Sequence, residues 1–284
     1  MDEWLERLAR LEEEVASMKE EISRLRTRVP GSLPGVEELL TRRGLSFSRE
    51  EKDHKLLLPA GERQMEHYYR LMCKYSFRIF LRDLISRTGG FSAGQRWKYC
   101  SPATVERYLN ELTSLGMVRR VEGGMLRLVN REVDSFGETL EWFTAEVLKR
   151  EFHLPSVRGL KPLGMDAGGD FDVLAVVGEA LVYIEVKSSP PKHIELKEVT
   201  AFVRRLDQLS PKAAVFLVDT QLRMKDKVVP MLMETMAERA RKPERLKEGV
   251  YLFPDRTYAI SSKPSMIHNL RHCLGDLYKR EVLL

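Results

Sequence analysis

Apolar residues recur at alternating spacings of three and four through residues 1–29, at Met1, Trp4, Leu8, Leu11, Val15, Met18, Ile22, Leu25 and Val29, with Glu, Arg and Lys between them. This heptad seam predicts a coiled-coil helix. So narrow a stripe buries little by itself, so a second copy of the chain is the expected partner and a homodimer the expected assembly. Pro30-Gly31 ends the helix. Residues 30–61 read as a connecting segment, with a short helix from Pro34 to Arg43 and one or two loosely alternating strands between Leu45 and Leu58.

Helical spacing resumes from Tyr69 to Arg87, where Leu71, Met72, Tyr75, Ile79, Phe80, Leu84 and Ile85 share a face. One or two turns are expected over Ala93 to Tyr99. Ser101 is then a good N-cap with Pro102 at the first helical position, and Val105, Tyr108, Leu109, Leu112 and Leu115 form one face up to Gly116. Met117 to Val121 and Met125 to Val129, around Gly123-Gly124, read as a β-hairpin. The order over residues 62–131 resembles the winged helix-turn-helix family, with SPATVERYLNELTSLGMVRRVEGGMLRLV as recognition helix, strand and wing. That resemblance implies a helix in the major groove and a wing on the phosphate backbone. By position it nominates Ser101, Thr104 and Arg107 on the helix, Arg96 and Lys98 just ahead of it, and Arg119, Arg120 and Arg127 on the wing.

Residues 132–284 alternate helical and strand patterns: an amphipathic helix from Asp134 to Phe152, a loop or strand from Leu154 to Met165, a helix from Ile194 to Leu209, a buried strand from Lys212 to Asp219, a helix from Lys225 to Arg241, a strand from Val250 to Phe253 and a closing helix from Pro264 to Arg280. Strands of continuous apolar character between helices predict an α/β fold with a mixed sheet. Between the first two elements and the next helix lie two β-type runs, Phe171 to Val177 and Leu181 to Val186, joined at Gly178-Glu179. A two-residue turn opposes Asp172 to Glu185 and Asp170 to Lys187, so one face carries two carboxylates and an ammonium while Val173, Ala175, Val182, Ile184 and Val186 take the other. A four-residue turn keeps this registry and a three-residue turn breaks it; with Asp172 facing the core, the acid role would pass to Asp170.

Gly137-Glu138-Thr139-Leu140-Glu141, Gly169-Asp170-Phe171-Asp172 and Ile184-Glu185-Val186-Lys187-Ser188 together resemble the PD-(D/E)XK, restriction-endonuclease-like nucleases, closest to the archaeal Holliday junction resolvase type. Phe171 stands where the family name has proline. The resemblance implies catalytic roles for Asp172, Glu185, Lys187 and Glu141, and a metal held by Asp172, Glu185 and the backbone carbonyl of Val186. It also implies a polar residue on the following helix, for which Asp207 and Gln208 are candidates. Hard Mg²⁺ or Mn²⁺ suits such a site, because one or two carboxylates, waters and a phosphate oxygen complete its coordination. Lys187 beside a cation would have its pKa pushed down, which assists a base role.

Composition adjusts this reading rather than leading it. With 284 residues and a net charge of +5 the chain tolerates a nucleic-acid partner without requiring one. Three scattered cysteines, Cys73, Cys100 and Cys273, point to a reducing, cytoplasmic setting, and neither a signal peptide nor a membrane span is expected. The expectation is a divalent-metal-dependent endonuclease acting on duplex or branched DNA. The alternatives are a DNA-binding regulator or scaffold with a silent nuclease-like domain, and a nuclease whose winged helix binds protein alone.

Overall fold

The computed structural model describes residues 7, 14–15, 17–18, 34–49, 53–87, 90–121, 124–165, 168–236 and 242–282. The coiled-coil expectation for residues 1–29 therefore falls almost wholly outside them. The described chain is α/β: a large mixed sheet flanked by helices, with three helices and a small hairpin packed against one end.

The sheet is centred on the apolar runs that the sequence marks. Phe171–Val177 (β5) and Ala180–Lys187 (β6) pair antiparallel, Val173 with Ile184 and Val177 with Ala180. Gly178, at φ 63°, supplies the left-handed conformation that this tight turn needs. Ser156–Pro162 (β4) lies antiparallel on β5, and Ala213–Val218 (β7) lies parallel on β6. Thr257–Ser261 (β10) is parallel to β7 and antiparallel to Val250–Phe253 (β9), which pairs with Glu244–Lys247 (β8). Phe47–Arg49 (β1) adds the far edge on β4. The order is β1-β4-β5-β6-β7-β10-β9-β8, eight strands in all. Residues of the segment 30–61 are thus built into the sheet, and Val36–Arg42 (α1) adds Val36, Leu39 and Leu40 to the core below it.

Helices cover both faces. Gly137–Phe152 (α5) and Met266–Val282 (α8) pack with the face bearing Val173, Ala175, Val182 and Ile184. Leu196–Leu209 (α6) and Val228–Thr235 (α7) cover the face bearing Leu174, Val176, Leu181 and Tyr183. The side of the hairpin that carries the acids is therefore buried too. Among the described residues no helix is long and apolar enough to cross a membrane.

The helix expected over Tyr69 to Arg87 is two helices, Glu62–Met72 (α2) and Tyr75–Ile85 (α3), broken where Lys74 adopts an extended conformation at φ −85°, ψ 119°. The break lets Arg78 Nη1 donate to the otherwise orphaned Met72 carbonyl at 2.6 Å. Ala93 to Tyr99 forms no helix. Phe91 instead bridges Leu126 through two backbone bonds of 2.9 and 2.8 Å, and Trp97 stacks on Phe80. Pro102–Ser114 (α4) follows its N-cap, where Ser101 Oγ accepts from the Thr104 N–H at 3.3 Å. Val118–Arg120 (β2) and Leu126–Leu128 (β3) form the small hairpin, with Arg119 directly opposite Arg127. β8 and β10 have no expected counterpart. The helix expected to reach Arg241 is described only as α7, and residues 237–241 lie outside the described set.

One continuous core joins the helical unit to the sheet, running from Tyr68, Phe77 and Tyr108 through Leu140 and Phe143 to Val173 and Ile184. A buried ion pair pins the same junction. Arg78 on α3 forks onto Asp219, just past β7, with bonds of 2.9 and 2.8 Å. Arg82, one turn on, donates to the carbonyl of Ser188, the residue after Lys187.

Candidate active site

β6 brings Glu185 and Lys187 to the C-terminal end of the parallel strands, side by side on one face because they are two residues apart. Glu185 is 1% exposed. Its charge is tolerated because both oxygens are occupied. Lys187 Nζ lies 2.8 Å and Arg205 Nη2 3.4 Å from Oε1, and the Tyr183 hydroxyl donates to Oε2. Lys187 also meets Glu198 Oε1 at 3.3 Å. Asp172 reaches across the hairpin, so that its Oδ2 accepts the Val186 N–H at 2.7 Å. The pairing at Gly178-Glu179 therefore places Asp172 with Glu185 and away from the face bearing Val173 and Ile184.

The electrostatics show how crowded the acids are. Burial, then the charges of Glu185 and Glu141, push the Asp172 carboxyl well above its usual range. Glu141, on the first turns of α5, is pushed up to about 7 by burial, with Glu138, Glu185 and Asp170 adding to it and Arg158 opposing. Tyr183 is held protonated by burial and by Glu185 and Asp172. For Lys187, burial pulls the pKa down but is outweighed by Glu185, Asp172 and Glu198, so the ammonium lies above its ordinary value. The surrounding carboxylates set its proton here.

The structure thus brings Asp172, Glu185, Lys187 and Glu141 within mutual electrostatic reach, and Asp170 acts on Glu141 as well. It adds three residues that the sequence reading did not nominate, Tyr183, Glu198 and Arg205. Asp207 and Gln208 are exposed, and the α6 residues at the site are Glu198 and Arg205. Tyr183 was findable, being one strand repeat before Glu185. Arg205 was not, because only the packing of α6 aims it at the hairpin.

A divalent cation suits this donor set by its chemistry. The donors are hard carboxylate oxygens in excess over the cations, and Asp172 and Glu141 are raised first by burial and then by neighbouring carboxylates, a second part that a bound positive charge would relieve. No three His, Cys, Asp or Glu groups converge as a ready metal cluster among the described residues. One consequence is a pH signature. A carboxyl raised from 4.5 to about 7 favours the folded state below its unfolded pKa and loses that contribution as pH rises through about 7. In EDTA, Glu141→Gln is therefore expected to raise stability at pH 8 by about 2 kcal/mol, shrinking towards nothing near pH 4. Urea unfolding at the two pH values checks it, and a pH-independent difference would contradict it.

The eight residues nominated for nucleic acid sit on the helical unit. Arg96, Lys98, Ser101, Arg107, Arg119 and Arg120 are exposed, and Thr104 and Arg127 are half-buried. The same unit reaches the end of the hairpin through Arg82, which donates to the Ser188 carbonyl. Arg107 also lies over the Tyr108 ring at 5.1 Å, and Lys98 over Tyr99 at 5.2 Å.

No protein-family model and no curated protein matches the chain. Solved structures do. Protein VC1899 from Vibrio cholerae is similar at 15% identity with a TM-score of 0.50, over 87% of this chain and 61% of its own. Can2 from Sulfobacillus thermosulfidooxidans, solved in complex with cyclic tetra-adenylate, is similar at 10% identity with a TM-score of 0.50, over 87% of this chain and 63% of its own. The chain spans about three fifths of the length of each, and the likeness is one of fold.

Proposed function

We propose that the protein is a divalent-metal-dependent nuclease that hydrolyses phosphodiester bonds in DNA, gripping it with the winged helix formed by α2 to α4 and β2-β3. The observation that carries this is the clustering of Asp172, Glu185 and Lys187 on one hairpin with Glu141 beside them. When bound, a hard cation held by Asp172, Glu185 and the Val186 carbonyl supplies charge that activates an attacking water and offsets charge on the phosphoryl oxygens. The protein's own groups do the rest. Tyr183 and the Val186 N–H fix the Glu185 and Asp172 carboxylates, which keeps their orientation while substrate enters. Lys187, held as an ammonium, neutralises a nonbridging oxygen as the P–O bond to the leaving sugar oxygen breaks. Glu141, on the first turns of α5, orients the attacking water and accepts its proton.

The wing supports a phosphate partner in its own way. Arg119 stands directly opposite Arg127, a pairing of like charges that a phosphate between the two side chains would relieve. A homodimer through residues 1–29 would present two such sites.

A silent, DNA-binding scaffold has one observation in its favour: Glu185 is already neutralised by Lys187 and Arg205. A panel of labelled duplex, single-stranded, flapped and four-way DNA and of RNA separates the readings. Incubation with Mg²⁺ or Mn²⁺ is expected to cut at least one DNA member, and EDTA to stop it. A parallel arm adds cyclic tetra-adenylate, the ligand bound to Can2. Binding without cutting in every arm favours the scaffold. Arg119→Ala with Arg120→Ala is expected to weaken DNA affinity about tenfold at 100 mM salt, and unchanged affinity would assign the winged helix to a protein partner.

A further inference from the structure

β6, β7 and β10 are parallel, so their C-terminal ends share one edge of the sheet. Register aligns them: Lys187 pairs with Val218, and Val218 with Ser261. Directly paired residues point to the same face, so Ser261 lies on the face of Lys187, two strand spacings away or about 10 Å. At that place the edge opens into a concavity of about 250 Å³, lined by Ser261 together with Arg223, Lys225, Arg245, Lys263 and Glu248. Four cations thus surround one acid. Lys263 bonds Glu248 at 2.7 Å and holds its carboxyl below the usual range, with Arg245 and Arg223 adding to the effect. Arg223, Lys225 and Arg245 are exposed and make no ion pair among the described residues. The acid between the two ends, Asp219, does not oppose an incoming phosphate, because it is buried and matched by Arg78.

We infer that this concavity is a second anchoring site for the phosphodiester backbone of the nucleic acid that enters the active site. The inference rests on the nuclease reading for its substrate, and adds a place. At about 3.4 Å of rise per nucleotide, 10 Å is roughly three nucleotides of one strand. Arg223, Lys225 and Arg245 therefore receive phosphates beyond the part of the edge that α3 covers through Arg78 on Asp219 and Arg82 on Ser188. None of these residues belongs to the winged helix.

The test is binding, measured apart from cleavage. Fluorescence anisotropy of labelled duplex DNA, and of duplex RNA of the same sequence, is followed in EDTA across a salt series for the full chain and for Arg223→Ala/Lys225→Ala. The variant is expected to bind about tenfold more weakly, and its dependence of log affinity on log salt to flatten by about 2, near 0.9 for each lost phosphate contact. The nucleic acid that shows this change is the one anchored there. Unchanged affinity and slope with both, in a variant whose melting temperature matches that of the parent, overturns the anchor while leaving the nuclease reading intact. A lowered affinity in a protein that cuts nothing with Mg²⁺ or Mn²⁺ upholds the anchor and sinks the nuclease reading.

Discussion

Arg78→Met is expected to destabilise the protein by about 3–5 kcal/mol, because it strands a carboxylate in the interior. Arg78 and Asp219 are 2% and 3% exposed at their side chains. Besides its fork onto Asp219, Arg78 donates to the Met72 carbonyl, and its guanidinium lies 5.4 Å from the centre of the Phe143 ring. Methionine has comparable length but returns none of these bonds. Asp219 would keep only the Ser262 hydroxyl, at 2.5 Å, among its present side-chain partners. Urea unfolding should show a lower midpoint at an unchanged slope. The double variant Arg78→Met/Asp219→Leu should recover part of the loss, since an apolar pair removes the stranded charge. A double variant no more stable than Arg78→Met would mean that the cost comes from packing around residue 78 instead. The pair also has a geometric role, since it fixes α3 against the strand ends that carry Lys187.

Lys187→Met is expected to reduce cleavage by a factor on the order of 10³, with DNA affinity in EDTA little changed. The ammonium bridges Glu185 at 2.8 Å and Glu198 at 3.3 Å, and its removal leaves Glu185 with Tyr183 and Arg205. Lys187→Arg should rescue poorly, because a planar fork does not replace a compact ammonium in a site shaped around one. Glu185→Ala should lose as much activity by a different route, and its weakened response to Mg²⁺ titration distinguishes the two. If Lys187→Met cleaves at the rate of the parent protein, the assignment of this hairpin as the reacting centre is wrong.

The hairpin was legible because both of its determinants are local. A Gly-Glu turn of two residues sets the pairing, and period-two alternation then places Asp172, Glu185 and Lys187 on one side. α4 was legible at its start for the same reason, since Ser101 and Pro102 act on their own next turn. Apolar spacing misled where burial was set from outside. From Tyr69 to Arg87 a helical stripe runs across the break at Cys73-Lys74, because α2 and α3 both feed the same core. The short Thr257–Ser261 strand carries no strong pattern of its own, and pairs only because β7 offers a parallel edge.

The sequence by itself determined the chemistry available: which carboxylates and which lysine share the hairpin, and that the run from Gly137 to Asp219 alternates helix and strand. These follow from covalent spacing, which folding does not change. Tertiary structure alone decided the surroundings of those groups. It aimed Arg205 and Glu198 at the site, buried the acid face beneath α6, crowded Glu141 towards neutrality and joined Arg78 to a residue 141 positions away. It also laid the cations of three separate loops and strands along one edge with Lys187. Desolvation and Coulomb energies depend on distance in space, and no spacing along the chain reports that distance.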